Sequence, residues 1–233
     1  MLTRTELASA LERLAPRLGE RARRRLYEDP FWLLRYGERG VRHSREDGDF
    51  HLKYLCQALR EGDPGLLARY GVWLRSLLVS RGMCSRHLAD NFTYLIDELR
   101  LELPPEEAEL ASGYLHAAAR SLEYSEGPAG ALSARAASVI ARVERELAPP
   151  SPPLSREVAS VTSYLADALA EGKPEILTAY LDVLQSSDEF VLSTRVAELL
   201  DALSRAVVAE LEDSPARAVL DVVAEARNKR VIA

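Results

Sequence analysis

The sequence predicts an all-α protein made of two tandem, diverged copies of one helical unit. Of its 233 residues, 47% are hydrophobic and 28% are charged, which is typical of a globular chain with a sizeable core. The chain is rich in Leu, Ala, Arg and Glu, which lose little free energy on entering a helix. No segment sustains the alternation of apolar and polar residues that is typical of a strand.

The tandem organisation comes from comparing the chain with itself. Residues 54–74, YLCQALREGDPGLLARYGVWL, align without a gap on residues 164–184, YLADALAEGKPEILTAYLDVL. After a short deletion the match resumes through the next predicted helix. Because the stretch SEGPAG at residues 125–130 interrupts the helical pattern, we predict a first domain over residues 1–125 and a second over residues 126–233.

The first helix of the repeated segment has clear spacing and end signals. Leu52, Leu55 and Leu59 recur at helical intervals and so share one face. Gly62 follows them and is predicted to end the helix. Pro64 is then expected at the first position of the next helix, where its missing N–H costs nothing.

The following helices are delimited in the same way. One is predicted to run from Pro64 to about Gly82, the next from about Ser85 to Leu103, and the last over about residues 106–123. Pro104 and its proline neighbour read as a stop followed by a new start. The Ser-Pro pair at residues 214–215 has the same role in the second copy.

Composition argues against several classes of partner. A net charge of -6 does not suit phosphate binding, and the one basic run, Arg21 to Arg25, reads as a solvated helix face or a helix C-terminus. Two cysteines, Cys56 and Cys84, are too few for a disulfide framework, and no stretch is long and apolar enough to span a membrane. We therefore predict a cytoplasmic protein that binds neither nucleic acid nor membrane.

Motifs of the common enzyme classes are absent from the sequence. There is no Gly-rich phosphate loop, no Gly-x-Ser-x-Gly, no Glu-x-x-His pair and no array of Cys and His. Paired carboxylates occur only on strongly charged helix faces, where solvation explains them. The prediction is a protein that is not an enzyme.

One segment of the first copy resembles a known family. Residues 44–63, SREDGDFHLKYLCQALREGD, are similar to the chromophore-bearing helix of phycobiliproteins, and residues 108–122 are similar to the closing helix of that family. The matching positions in the first of these segments are Asp47, Leu52, Lys53, Tyr54, Ala58, Gly62 and Asp63. The resemblance covers about residues 27–124 and implies globin-like helical bundles, which the second copy shares through its likeness to the first.

The departures from this family limit what the resemblance implies. Ser44 stands where the family has the cysteine that bonds the bilin, and serine cannot form that thioether. Asp47 matches the aspartate that faces the pyrrole nitrogens in the family. The resemblance thus implies a sensory or regulatory protein without covalent pigment, which binds either a non-covalent tetrapyrrole (bilin or haem) or another small ligand. No cofactor is established by these residues.

The predicted ligand site lies along this helix. His43, Asp47 and His51 are spaced so that a continuous helix would place them on one face, with Tyr54 on the next turn. Such a stripe could meet a tetrapyrrole, or supply part of a metal shell. The alternatives are a helix that starts at Ser44, with an acidic first turn, and a solvated or hydrogen-bonded pair of histidines.

A second hypothesis is a ligand-free helical adaptor that binds another protein or a second copy of itself. Phe31, Trp32 and Tyr36 are the predicted partner-binding residues, because aromatic side chains bury large areas at low entropic cost. The alternative for these aromatic residues is packing in the core.

Overall fold

The computed structural model describes residues 2–231, and the regular secondary structure of this part of the chain is all helical, with no strand. The all-α prediction is confirmed. The described residues form ten helices, and none of them has the length and apolar character of a membrane span. They are α1 (Arg4–Leu26), α2 (Pro30–Glu61), α3 (Pro64–Val79), α4 (Ser85–Glu102), α5 (Pro105–Ser121), α6 (Gly127–Glu146), α7 (Pro152–Glu171), α8 (Glu175–Gln185), α9 (Val196–Glu210) and α10 (Asp213–Val231).

The chain divides into two compact units. The first comprises Met1–Leu77 and His87–Leu122, and the second comprises Leu78–Arg86 and Glu123–Ala233. The short segment Leu78–Arg86, which joins α3 to α4, therefore packs as part of the second unit. Comparing the two repeats does not predict this membership, because the loop belongs to the first repeat in sequence.

In the first unit, α1 lies along α2. The two helices approach closely at a pair of glycines, because a Cβ added to Gly48 would lie 3.4 Å from the Cα of Gly19. Gly48 therefore lets the backbones meet and does not interrupt the helix. The predicted helix start at Ser44 is wrong, because α2 begins at Pro30 and the Ser44 hydroxyl donates to the Val41 carbonyl at 3.1 Å.

The N-terminus of α2 is set by Asp29, whose side chain accepts a hydrogen bond from the Phe31 amide at 3.0 Å. Pro30 then occupies the first helical position. The helix is kinked at Gly37, whose φ of 58° is in the left-handed region that favours glycine. The part of α2 after this kink carries the predicted ligand site.

The basic run Arg21–Arg25 lies at the C-terminal end of α1, as predicted, but it is not a purely solvated face. Arg21 Nε lies 2.6 Å from a carboxylate oxygen of the buried residue Glu98 in α4, and Arg25 Nη1 lies 3.1 Å from the other oxygen. Two guanidinium groups thus compensate one buried carboxylate, as burial of a charge requires. These ion pairs tie α1 to α4 within the first unit.

The second unit is built on α6, which packs against α7 and α9, and α10 packs against all three. Its first repeated helix ends as α2 does: Gly62 and Gly172 are both left-handed, with φ of 67° and 62°. Among the helices of the first repeat, α4 and α5 lie close to their predicted bounds, whereas α3 ends at Val79, before the predicted Gly82.

Candidate functional site

The predicted ligand stripe lies on one continuous helix, but its members have different environments. His43 is exposed, Asp47 is half-buried and His51 is buried. Among the described residues, no three His, Cys, Asp or Glu side chains gather as a metal site. Because His43 is exposed and His51 is buried, the three side chains do not share one solvent-facing surface.

His51 is held inside the first unit by aromatic neighbours. Its Nδ1 atom lies 2.8 Å from the Tyr70 hydroxyl, and its ring packs edge-on against Phe92, with the ring centroids 4.9 Å apart. Burial lowers the pKa of His51 to about 4, so the imidazole is neutral at physiological pH. A neutral, hydrogen-bonded core histidine cannot supply the positive charge that would attract a propionate.

Tyr70 connects this buried histidine to the surface. Its ring stacks on Tyr54 with centroids 3.9 Å apart and planes at 18°, and Trp73 follows at 6.0 Å. Burial, with a smaller contribution from the charge of Asp47, raises the pKa of Tyr70, so its hydroxyl stays protonated. The result is a row of three aromatic rings that runs outward from His51.

The outer part of this row forms an open cleft of about 260 Å³. We call it the aromatic cleft, and its lining residues are Tyr54, Gln57, Leu66, Arg69, Tyr70 and Trp73. Trp73 is 57% exposed, although it is the kind of residue that usually buries most of its surface. Arg69 is also exposed and forms an ion pair with Asp63 at 3.0 Å.

The second unit has the same tyrosine pair in a different setting. Tyr164 stacks on Tyr180 with centroids 4.1 Å apart and planes at 20°, as Tyr54 stacks on Tyr70. Both residues of this second pair are almost fully buried. The repeat thus preserves the stacked pair, but in the first unit one member, Tyr54, is only half-buried, while Tyr70 stays buried.

The predicted partner-binding residues lie elsewhere in the first unit. Phe31 and Trp32 are buried and Tyr36 is half-buried, and the three rings surround the buried imidazole of His87. The Tyr36 hydroxyl is 2.6 Å from His87 Nδ1. Core packing, the alternative interpretation of these aromatic residues, describes this cluster, and its two most buried rings have little surface for a partner.

Of the predicted site residues, only Tyr54 lines the aromatic cleft. Sequence reasoning missed Gln57 and Arg69, although the repeat holds a signal for them and for Trp73. At the equivalent positions the second copy has Asp167, Ala179 and Val183. Large or charged residues in one copy opposite smaller ones in the other indicate a surface that has diverged in use.

Comparison with models of known protein families, with curated proteins and with solved structures found no match. The chemistry of the cleft therefore follows from its own residues. It offers aromatic faces, one guanidinium group and one amide, and no nucleophile with an adjacent base among its lining residues. Such a surface is suited to binding.

Proposed function

We propose that this chain is a non-enzymatic binding protein of the regulatory kind, and that the aromatic cleft of its first unit is the binding surface. One observation carries this proposal. In the first unit Tyr54 of the stacked pair is only half-buried and lies in the same cleft as the exposed Trp73, whereas both tyrosines of the counterpart pair are buried in the second unit. A large aromatic side chain kept in water loses stabilisation that burial would supply, so a bound partner explains its retention.

The geometry favours another protein as the ligand. A volume of about 260 Å³ is below the ~300–1,000 Å³ of clefts that enclose drug-sized molecules. Tryptophan, tyrosine and arginine are the residues that contribute most to protein–protein affinity, and the cleft holds all three in Trp73, Tyr54 and Arg69. The adaptor hypothesis thus gains a binding surface other than the Phe31 and Trp32 cluster.

The resemblance to phycobiliproteins supports a sensory or regulatory role. As part of the same proposal, each of the two units is a globin-like helical bundle. The resemblance also keeps a non-covalent tetrapyrrole as the second candidate ligand. The half-buried Asp47 favours this candidate, because its charge acts on Tyr70 at the inner end of the aromatic cleft.

Site-specific photo-cross-linking tests the proposal directly. A photoreactive phenylalanine derivative at position 73 is compared, in the native cells, with the same group at position 101, where Leu101 is also exposed. We expect a discrete protein adduct at position 73 that is absent at position 101. Equal patterns at the two positions would contradict the proposed surface.

Absorbance spectroscopy tests the second candidate. Purified protein is titrated with biliverdin and with haem, and with Trp73→Ala as the matched variant. We expect no saturable change in the visible spectrum. A saturable change that Trp73→Ala abolishes would assign the cleft to a tetrapyrrole instead.

A further inference from the structure

The second unit shows what covers the stacked tyrosine pair when it is buried. The Tyr164 hydroxyl donates to the Gly82 carbonyl at 2.8 Å, and the Arg86 amide donates to the Ser163 hydroxyl at 3.1 Å. Between these contacts, Asp167 accepts from the Ser85 amide at 3.0 Å and from the Ser85 hydroxyl. The covering element is thus a turn followed by the first residues of a helix.

Most of these contacts involve the backbone of the turn and not a particular set of side chains. Gly82 offers its carbonyl, and Ser85, the first residue of α4, offers one of the amide groups that a helix start leaves without an internal partner. Cys84 is buried in the same segment. Any polypeptide with this turn and helix start would present the same groups.

The aromatic cleft offers matching groups at the equivalent positions. Tyr54 corresponds to Tyr164, and Gln57 corresponds to Asp167. A tyrosine hydroxyl can donate to a turn carbonyl, and the carbonyl oxygen of a glutamine can accept from a helix-start amide. Trp73, in place of Val183, adds an apolar wall.

We propose that the aromatic cleft binds a turn followed by a helix N-terminus, supplied by another protein and bearing an acidic residue in its first turn. This inference rests on the proposed function, because it names the partner of the same cleft. The acidic residue follows from charge. Lys53 and Arg69 stand where the second unit has Ser163 and Ala179, and Gln57 replaces the carboxylate of Asp167. These exchanges outweigh the one opposite exchange, Asp63 for Lys173, so the first unit is the more positive here even with Arg69 paired to Asp63.

A second copy of this chain does not supply such a segment. Its turn at residues 82–86 is already bound within its own second unit. The corresponding turn before α9 buries Phe190 and Leu192, and Glu157 accepts from the amides of Val191 and Leu192 at 2.9 and 2.8 Å. Both turns are therefore engaged inside the molecule that carries them.

Synthetic peptides provide the probe. The parent peptide has the sequence of residues 79–95 with Cys84→Ala, which prevents oxidation, and Arg86→Glu, which supplies the acidic first turn. A second peptide keeps arginine at position 86. A third adds Ser85→Pro to the parent, which keeps a residue suited to the first helical position but removes both the amide hydrogen and the hydroxyl of Ser85.

Fluorescence of Trp73 in the full-length protein reports binding, because the peptides lack tryptophan and the other tryptophan, Trp32, is only 1% exposed. We expect the parent peptide to shift the emission to the blue and to saturate at one peptide per chain. Loss of the amide and hydroxyl donors of Ser85 should weaken the proline peptide about tenfold or more. The arginine peptide should also bind more weakly than the parent.

Protein variants locate the contact. Tyr54→Phe keeps the stacked ring, loses the hydroxyl donor and should weaken binding of the parent peptide, whereas Leu101→Ala should leave it unchanged. Equal affinities of the parent and proline peptides, or no response of Trp73 at millimolar peptide, would overturn the inference. If cross-linking at position 73 still gives its adduct, the proposed function stands and only the helix-start partner is refuted.

Discussion

Replacement of Asp167 by alanine probes the interaction that holds the segment Leu78–Arg86 in the second unit. The carboxylate is fully buried and accepts from the Ser85 amide at 3.0 Å, from the Ser85 hydroxyl and from the Tyr124 hydroxyl at 2.8 Å. Alanine removes the acceptor for all three donors at once. The two hydroxyls can rotate toward other acceptors, but the amide of Ser85 has a fixed direction.

The magnitude follows from these three donors. Leaving a buried donor without its acceptor costs about 1–3 kcal/mol, and hydrogen bonds to charged groups lie at the upper end. Because the two hydroxyls can turn and the costs are not additive, we expect a total of about 3 kcal/mol. This cost should shift the equilibrium between the bound and the released segment toward release, because each ~1.4 kcal/mol changes an equilibrium constant tenfold.

Thiol labelling of Cys84 in the native protein measures that release. Cys84 is buried next to Ser85 and reacts only when the segment opens, whereas the other cysteine, Cys56, is buried in the first unit. We expect Asp167→Ala to accelerate labelling of Cys84 about a hundredfold, from the same free energy of about 3 kcal/mol. Labelling of Cys56, followed in the same sample by mass spectrometry, should not change.

The repeat supplies a matched control, because Gln57 occupies the equivalent position in the first unit and is exposed. Gln57→Ala introduces the same residue on a helix surface and should change the free energy of unfolding by no more than about 0.5 kcal/mol. If Asp167→Ala accelerates labelling of Cys84 less than about fivefold, a cost near 1 kcal/mol, the carboxylate does not hold the segment and the reasoning fails.

Three further predictions concern the interior of each unit. Burial keeps His51 neutral in the folded protein, so the free energy of unfolding should be highest above the ordinary histidine pKa of 6.5 and should fall by about 3 kcal/mol as the pH drops toward 4. Urea unfolding at a series of pH values measures this decline. His51→Val, which introduces the residue of the second copy, should remove the decline, and an unchanged decline would contradict the assignment. Burial raises the pKa of Glu157, so the protonated side chain contributes to the free energy of unfolding below the ordinary pKa of 4.5, and this contribution is lost as the pH rises through the raised pKa. Glu157→Gln should flatten this pH dependence of the free energy of unfolding. An equally steep dependence in the variant would argue against the assignment. Gly71→Ala should destabilise the protein by about 1–3 kcal/mol, since the added Cβ would lie 2.8 Å from Ser121 Oγ. Gly113→Ala places its Cβ in open space and should instead stabilise the protein by up to about 1 kcal/mol. Thermal unfolding measures both effects, and equal effects would refute the steric argument.

Much of the local structure could be predicted because its causes are local. Gly62 ends α2 in a left-handed conformation, as a glycine signal at a helix end predicts, and α4 starts at the predicted Ser85. The prediction failed at Ser44, where an apparent capping sequence lies in the middle of a helix. The start signal at Asp29 and Pro30 applies further upstream, and the helix continues through Gly48 because that glycine serves a close helix approach.

The candidate site was predicted only in part, because burial depends on neighbours that are distant in sequence. Helical spacing correctly places His43, Asp47 and His51 along one helix, but packing leaves the first in solvent and buries the last against Tyr70. Likewise, Trp32 and Trp73 cannot be distinguished by residue type. One is enclosed in the core, and the other stands in water.

By itself the sequence determined that the chain is helical and that one helical segment occurs twice, because helix propensity, spacing and end signals act over a few residues. Only the tertiary structure decided that the second copy buries both tyrosines of its pair while the first leaves Tyr54 partly exposed. That outcome depends on the segment Leu78–Arg86, whose backbone groups meet Tyr164 and Asp167 in the second unit. Contacts between residues this far apart arise only when the chain has folded.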